Sequence, residues 1–293
     1  METIKRGALS LALAAGLAGL SAAAGAATTD ETEHEFVVAA GEELVVDIDD
    51  GAVSIQTHDE NRAVVRVYRT VRAGSEEAER AVLDMHRLSV VHERGQLRLK
   101  GRLPKEARRL YRGMAEFGAR FEVLVPKRFD ARIRTSDGDV SLAGLEGALD
   151  LKTSDGAVSV QGGGGRLDAR TSDGDIAVRG FSGSIALQTS DGHIEVEGSG
   201  GRLEARTSDG DILASLDSIK DGCTLATSDG HIEVRVDAAA AITLDGRVAD
   251  GRIRSDLPVA GSVGRNRVEG DLNGGGPLLS MRTSDGDIRI KSR

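Results

Sequence analysis

The chain of 293 residues carries 47 acidic against 38 basic side chains, a formal net charge of −9, which argues against a nucleic-acid partner because a polyanion is met by a cationic field. With 2% aromatic residues, no tryptophan and 38 glycines, a core built on a few large anchors is excluded. A single cysteine excludes an intramolecular disulfide.

Residues 1–27 read as a secretory signal peptide. Lys5 and Arg6 precede an apolar run from Ala8 to Leu20, which closes on the small residues Ala24-Gly25-Ala26. The run is interrupted by Gly16 and Gly19 and is short of the ~20 residues that span a bilayer; an uncleaved anchor is the alternative. A periplasmic or secreted protein without a further membrane-spanning segment is the expectation.

Residues 28–130 form an irregular β region with a helical insertion. Leu44-Val45-Val46-Asp47-Ile48 and Val64-Val65-Arg66-Val67-Tyr68 alternate well, and Gly51-Ala52-Val53-Ser54-Ile55 resembles a degenerate repeat strand. Ser75 is placed to cap a helix through Arg87, with strands at Leu88–Val91 and Leu97–Leu99. Pro104 suits the first turn of a second helix reaching about Gly118, with Leu110, Tyr111, Met114 and Phe117 as its apolar stripe. Its basic face, Lys105, Arg108, Arg109 and Arg112, has two readings: a cap over the open end of the stack, which is preferred, or a partner surface for an anionic membrane or polymer.

From 131 to 236 the chain is a repeat. Thr-Ser-Asp-Gly begins at Thr135, Thr153, Thr171, Thr189 and Thr207, 18 residues apart, and again at Thr227 and Thr283. Each unit divides into two halves of nine residues, one strand and one turn each, with apolar residues on one face only. A single unit buries nothing and a stack of units buries a column, so the fold class is all-β, a β-solenoid of two-strand rungs. Parity puts Ile176 and Val178 inward on one sheet, Ile185 and Leu187 on the other, and the motif threonine inward next. Cys223 falls among these positions and is expected to be an inert core thiol. Residues 237–293 keep fainter echoes at Val248-Ala249-Asp250-Gly251 and Val268-Glu269-Gly270-Asp271-Leu272, then end in a clean repeat. They read as atypical terminal rungs.

Stacking in register aligns Asp137, Asp155, Asp173, Asp191 and Asp209 about 4.8 Å apart. Asp139, Asp175 and Asp211 add a second acidic column, broken by Ala157 and His193. Like charges so close require an explanation. One is a bound calcium ion, which takes hard oxygen ligands; the preferred one is a turn in which Asp accepts hydrogen bonds locally and Gly supplies positive φ. His193 and His231 occupy equivalent places two rungs apart, nearly 10 Å, too far for one zinc ion, and His34, His58, His86 and His92 lack ligand spacing.

The reiterated Thr-Ser-Asp-Gly-Asp-Ile, the strand end Val123-Leu124-Val125-Pro126 before the repeats and Gly274-Gly275-Gly276 before Ser284-Asp285-Gly286-Asp287-Ile288 resemble the putative adhesin families, envelope domains with repeated β-strands. The resemblance runs from about Phe36 to the C-terminus and implies adhesion without supplying a binding residue. Charged groups such as Arg166, Asp168 and Arg170, or Arg202, Glu204 and Arg206, recur between rungs, whereas catalysis needs a unique constellation. A non-catalytic envelope or secreted interaction module is expected, with an extracellular protein or polysaccharide as partner and no cofactor. A calcium-dependent binding module and a carbohydrate-active β-helix enzyme are the alternatives.

Overall fold

The computed structural model describes residues 27–110, 115–198 and 200–293, so the proposed leader and residues Tyr111, Arg112 and Met114 lie outside it. Within the repeats the nine-residue half-unit becomes a short strand, and successive equivalents pair in parallel at one period: Val158 and Val160 lie beside Val140 and Leu142 on one side and Ile176 and Val178 on the other. Strands 140–143, 158–161, 176–179 and 194–197 add to sheet one; strands 146–152, 164–170, 182–188 and 203–206 add to sheet two. Among the described residues sheet one has 12 strands and sheet two 13. A rung is one strand of each, and the chain alternates between them.

The inward set read from parity is the buried set. Val140, Leu142, Ile176, Val178, Ile185, Leu187 and their equivalents are all nearly inaccessible, and one continuous apolar cluster runs from Val38 to Ile290. Burying each such side chain contributes ~1.5–3 kcal/mol. The stack therefore holds through many small increments.

Two turns per rung differ in why they need glycine. At the corner after sheet one, Gly144, Gly162, Gly180 and Gly198 have φ of +77°, +64°, +66° and +71°, the left-handed region that glycine enters without cost. At the Thr-Ser-Asp-Gly corner the expected positive φ is not found. The motif glycines approach their neighbours too closely for any side chain: a Cβ on Gly174 would stand 2.0 Å from the carbonyl oxygen of Gly156, one rung below.

Both ends of the solenoid are interleaved. Strand 43–48 pairs with 130–134 on one side and 96–102 on the other, and strand 52–58 lies between 140–143 and 115–126. The rung made earliest in the chain thus sits inside the one made of 96–102 and 115–126. At the far end, 278–283 and 288–292 stack directly on 223–226 and 232–236, with 242–248 and 253–255 outside them. The clean last repeat is not the outer rung, as its position in the chain suggested, but an inner one. Segments 28–130, 131–236 and 237–293 share both sheets.

The N-terminal end is covered differently from expectation. Strands 62–73 and 28–37 extend sheet one in antiparallel fashion, and the hairpin 87–93/96–102 closes sheet two. Helix α1 (Glu76–Met85), capped by the Ser75 hydroxyl accepting from the Ala78 N–H, contributes Val82 and Leu83 to a small cluster with Val71, against which Leu103, Ala115 and Phe117 pack. Helix α2 (Lys105–Leu110) is short. Residues 115–118, expected to be helical, belong to strand Ala115–Pro126, paired with 62–73. Covering strands and α1 form the cap; α2 stands in the corner between 96–102 and 115–126, the place that Thr-Ser-Asp-Gly fills in later rungs.

Candidate functional site

Three columns of side chains run along the Thr-Ser-Asp-Gly edge. The innermost is threonine: Thr153, Thr171, Thr189, Thr207, Thr227 and Thr283 are buried. The Thr171 hydroxyl lies 3.0 Å from the carbonyl oxygens of both Ser154 and Gly156 in the rung below, and accepts the Gly174 N–H at 3.3 Å. The local hydrogen bond that sequence reasoning assigned to aspartate belongs to threonine. Thr135, facing Asp49-Asp50-Gly51 instead of a motif, is the member whose hydroxyl finds no partner.

The second column is the expected aspartate ladder. Asp137, Asp155, Asp173, Asp191 and Asp209 come together on the exposed edge, continued by Asp229, Asp285 and Asp250, each backbone N–H bonded to the rung below. Partial burial, with Asp137 and Asp173 as flanking charges, holds the Asp155 carboxyl above the usual carboxylate range. Among the described residues no group of three or more acidic, His or Cys side chains is arranged to hold a metal ion.

The third column, Asp139, Ala157, Asp175, His193, Asp211, His231 and Asp287, is the second acidic column read from the sequence, and His193 continues it where the sequence suggested a break. Asp175 accepts the His193 backbone N–H at 2.7 Å, His193 Nδ1 accepts that of Asp211 at 2.9 Å, Asp211 accepts that of His231 at 2.7 Å, and His231 Nδ1 accepts that of Asp287 at 2.9 Å. Aspartate and the neutral imidazole serve one purpose, a side-chain acceptor reaching one rung up. The 18-residue spacing of Asp175, His193 and Asp211 was the available signal.

Cys223 is buried in register between Leu203 and Leu279, and burial pushes its thiol up to about 12. Such a thiol supplies no thiolate near neutrality.

A cleft of about 590 Å³ opens beside α2, lined by the cations Arg87, Lys100, Arg102 and Lys105, the acids Asp49 and Glu106, the apolar Leu88, Leu103 and Pro104, and Ser89 and Ser136. Arg102 reaches both carboxylate oxygens of Asp47 at 2.9 Å. Of the basic face proposed from sequence, Lys105 lines this cleft, Arg108 and Arg109 lie in α2, and Arg112 is outside the described residues. Arg87, Lys100 and Arg102 join Lys105 because the hairpin 87–102 folds next to the helix.

On the outer face of sheet two, the charged residues form flat ladders. Arg170 pairs with Asp168 at 3.0 Å, Arg206 with Glu204, and Arg247 with Asp245 at 3.4 Å, repeating one i,i+2 arrangement along the stack, and Arg282 joins Asp245 from the next strand at 3.0 Å. These surfaces can attract extended charged partners.

Solved structures of similar extent include one described as a putative adhesin from Bacteroides fragilis, 12% identical, covering 90% of this chain and 97% of that one at a TM-score of 0.46, and another from Parabacteroides merdae, 11% identical over 90% and 96% at 0.43. One described as a putative lipid binding protein from Parabacteroides distasonis is 9% identical over 89% and 96% at 0.28. No curated protein matches the chain. Residues 163–291, from the middle of the regular rungs through the interleaved C-terminal end, match the Toastrack DUF4097 family model, and the resemblance to an adhesin-type repeat domain read from Thr-Ser-Asp-Gly-Asp-Ile stands.

Proposed function

We propose that this protein is a non-catalytic interaction module of the cell envelope, exported by its leader to the periplasm or beyond and adhesin-like in engaging an extracellular partner through its outer surfaces. The observation that carries the reading is periodicity: the Thr, Asp and Asp/His columns and the ion pairs of sheet two repeat rung after rung, and a reaction needs a nucleophile, base and oxyanion donor that converge once. Among the described residues no helix is long and apolar enough to cross a membrane. Cell fractionation combined with N-terminal sequencing tests it. The expected result is a protein lacking residues 1–27, recovered outside the cytoplasm; a cytoplasmic protein with an intact leader overturns the reading.

A further inference from the structure

Resting on the envelope reading, we propose that sheet two carries a binding track for a linear anionic polysaccharide, headed by the cleft beside α2. The residue preceding each motif threonine faces outward, and register brings these positions into one column. Arg134 lies beside Lys152, Lys152 beside Arg170, Arg206 follows one strand beyond Gln188, and Arg282 and Arg247 follow beyond Ala226. All six cations are exposed. At the head of the column Lys100 lies two strands beyond Arg134, with Asp47 between them, and lines the cleft with Arg87, Arg102 and Lys105. Parallel strands space the positions of the column about 4.8 Å apart over roughly 40 Å, with Asp47, Gln188 and Ala226 as the positions that carry no cation.

A chain with a net charge of −9 does not produce such a column by composition. Its acidic charge lies along the neighbouring Asp edge and, on this face, in Asp47 and in a parallel column of Asp150, Asp168, Glu204 and Asp245 two residues before the cations, where it is less exposed than they are. Arg134 and Lys152 make no ion pair among the described residues, while Arg170, Arg206, Arg247 and Arg282 pair with the half-buried carboxylates of Asp168, Glu204 and Asp245, two residues before them in their strands or in the next strand. The guanidinium ends of these pairs stay at the surface, where an ion pair is worth ~0–1 kcal/mol. The track is free of aromatic side chains on the outward positions of the repeats. Single-stranded nucleic acid uses stacking platforms that are missing there, and a bilayer uses apolar side chains that the column does not offer. A stiff sugar polymer with one carboxylate per ring presents charges at a spacing of the same order as the strands.

The test is titration of the exported protein with alginate fragments, with dextran as the neutral control and single-stranded DNA as the competing polyanion. Alginate is expected to bind with an affinity that falls steeply with salt, dextran to show nothing and DNA to bind at least ~tenfold more weakly. The double change Arg134→Glu with Lys152→Glu is expected to weaken alginate binding at least ~tenfold. Arg254→Glu with Arg289→Glu, an equal charge change on sheet one, is expected to alter it less than ~twofold. The milder pair Arg134→Gln with Lys152→Gln, checked for an unchanged melting temperature, separates loss of charge from loss of fold. Absence of alginate binding, equal losses from the two sheets, or DNA binding as strong as alginate overturns the track. Shortening of the alginate during incubation would instead overturn the non-catalytic reading and leave the track standing.

Discussion

The motif threonine and glycine carry more of the fold than the aspartate between them. The Thr171 hydroxyl lies against two carbonyls and accepts one N–H in a buried corner; the Ser154 carbonyl also accepts the Ser172 and Asp173 N–H groups, so Thr171→Val, which keeps the shape, leaves the Gly156 carbonyl and the Gly174 N–H short of this partner. A loss of ~1–3 kcal/mol in urea unfolding is expected. Gly174→Ala is expected to cost more, ~3 kcal/mol or above, because the added methyl must displace the backbone of the rung beneath it; a well-folded alanine variant of wild-type stability would refute that account. Asp155 behaves in the opposite sense. Its carboxyl is held above its ordinary range by partial burial and by Asp137 and Asp173, so the folded state takes up its proton more readily than the unfolded chain, and this group favours folding more as pH falls into that range. Asp155→Asn should raise the melting temperature at neutral pH, lose that advantage in acid or high salt, and respond to calcium no differently from wild type. A calcium-induced rise in the wild type alone would instead assign the ladder to metal.

At the scale of elements, the N-terminal cap depends on two buried ionisable groups. Glu79 in α1 accepts the Ala73 N–H at 2.9 Å and the Thr28 N–H at 3.2 Å, tying the start of one strand to the end of another, and the Thr28 and Ala73 hydrogen bonds hold its carboxyl below the usual range. His86, which ends the helix and packs against Phe117 at 4.8 Å between ring centres, is pushed down to about 4 chiefly by burial, with Arg69 adding to it. A folded-state value below the ordinary 6.5 means that His86 supports the fold fully above pH 6.5 and ceases to as pH falls toward about 4. Melting curves from pH 7 to 4 should therefore decline, and His86→Phe should flatten the decline; an unchanged slope would remove His86 as its cause. The sequence made α1 and its Ser75 cap legible because capping is local. It misread 115–118 because Phe117 and Phe121 satisfy both a helical and an alternating pattern, and the antiparallel partner 62–73, distant in the chain, decides between them. The cleft was half legible: Lys105 stands out in the sequence, whereas Arg87, Lys100 and Arg102 reach it through a hairpin whose placement is tertiary.

For the whole molecule, the period was the readable quantity and the order of rungs was not. Ile176, Ile185 and Cys223 could be placed inward from parity alone, since two residues per face and 18 per turn determine both direction and neighbour. Nothing local in Leu278–Thr283 says that it lies between 223–226 and 242–248, because every rung offers the same edge and any motif can stack on any other. Deleting 278–293 therefore tests the interleaving. If the inner rung anchors the outer one, the truncated protein should expose 242–272 to proteases while the rungs from 131 to 236 remain protected; a resistant 242–272 segment would show that it can dock on 223–236 unaided.

Order of synthesis and order in space differ at both ends, and the two ends have different histories. The early strand pair 43–58 emerges before the neighbours that flank it and can wait for them, so the front of the molecule closes by addition. The last sixteen residues arrive when the segment destined for the outside already exists, and they must either enter a slot left open or evict it from a provisional seat. The stack consequently has no complete far end until 278–292 have taken their places. A fold that would otherwise invite endless addition of copies uses its own tail as the latch, and an interrupted chain is left with an adhesive edge.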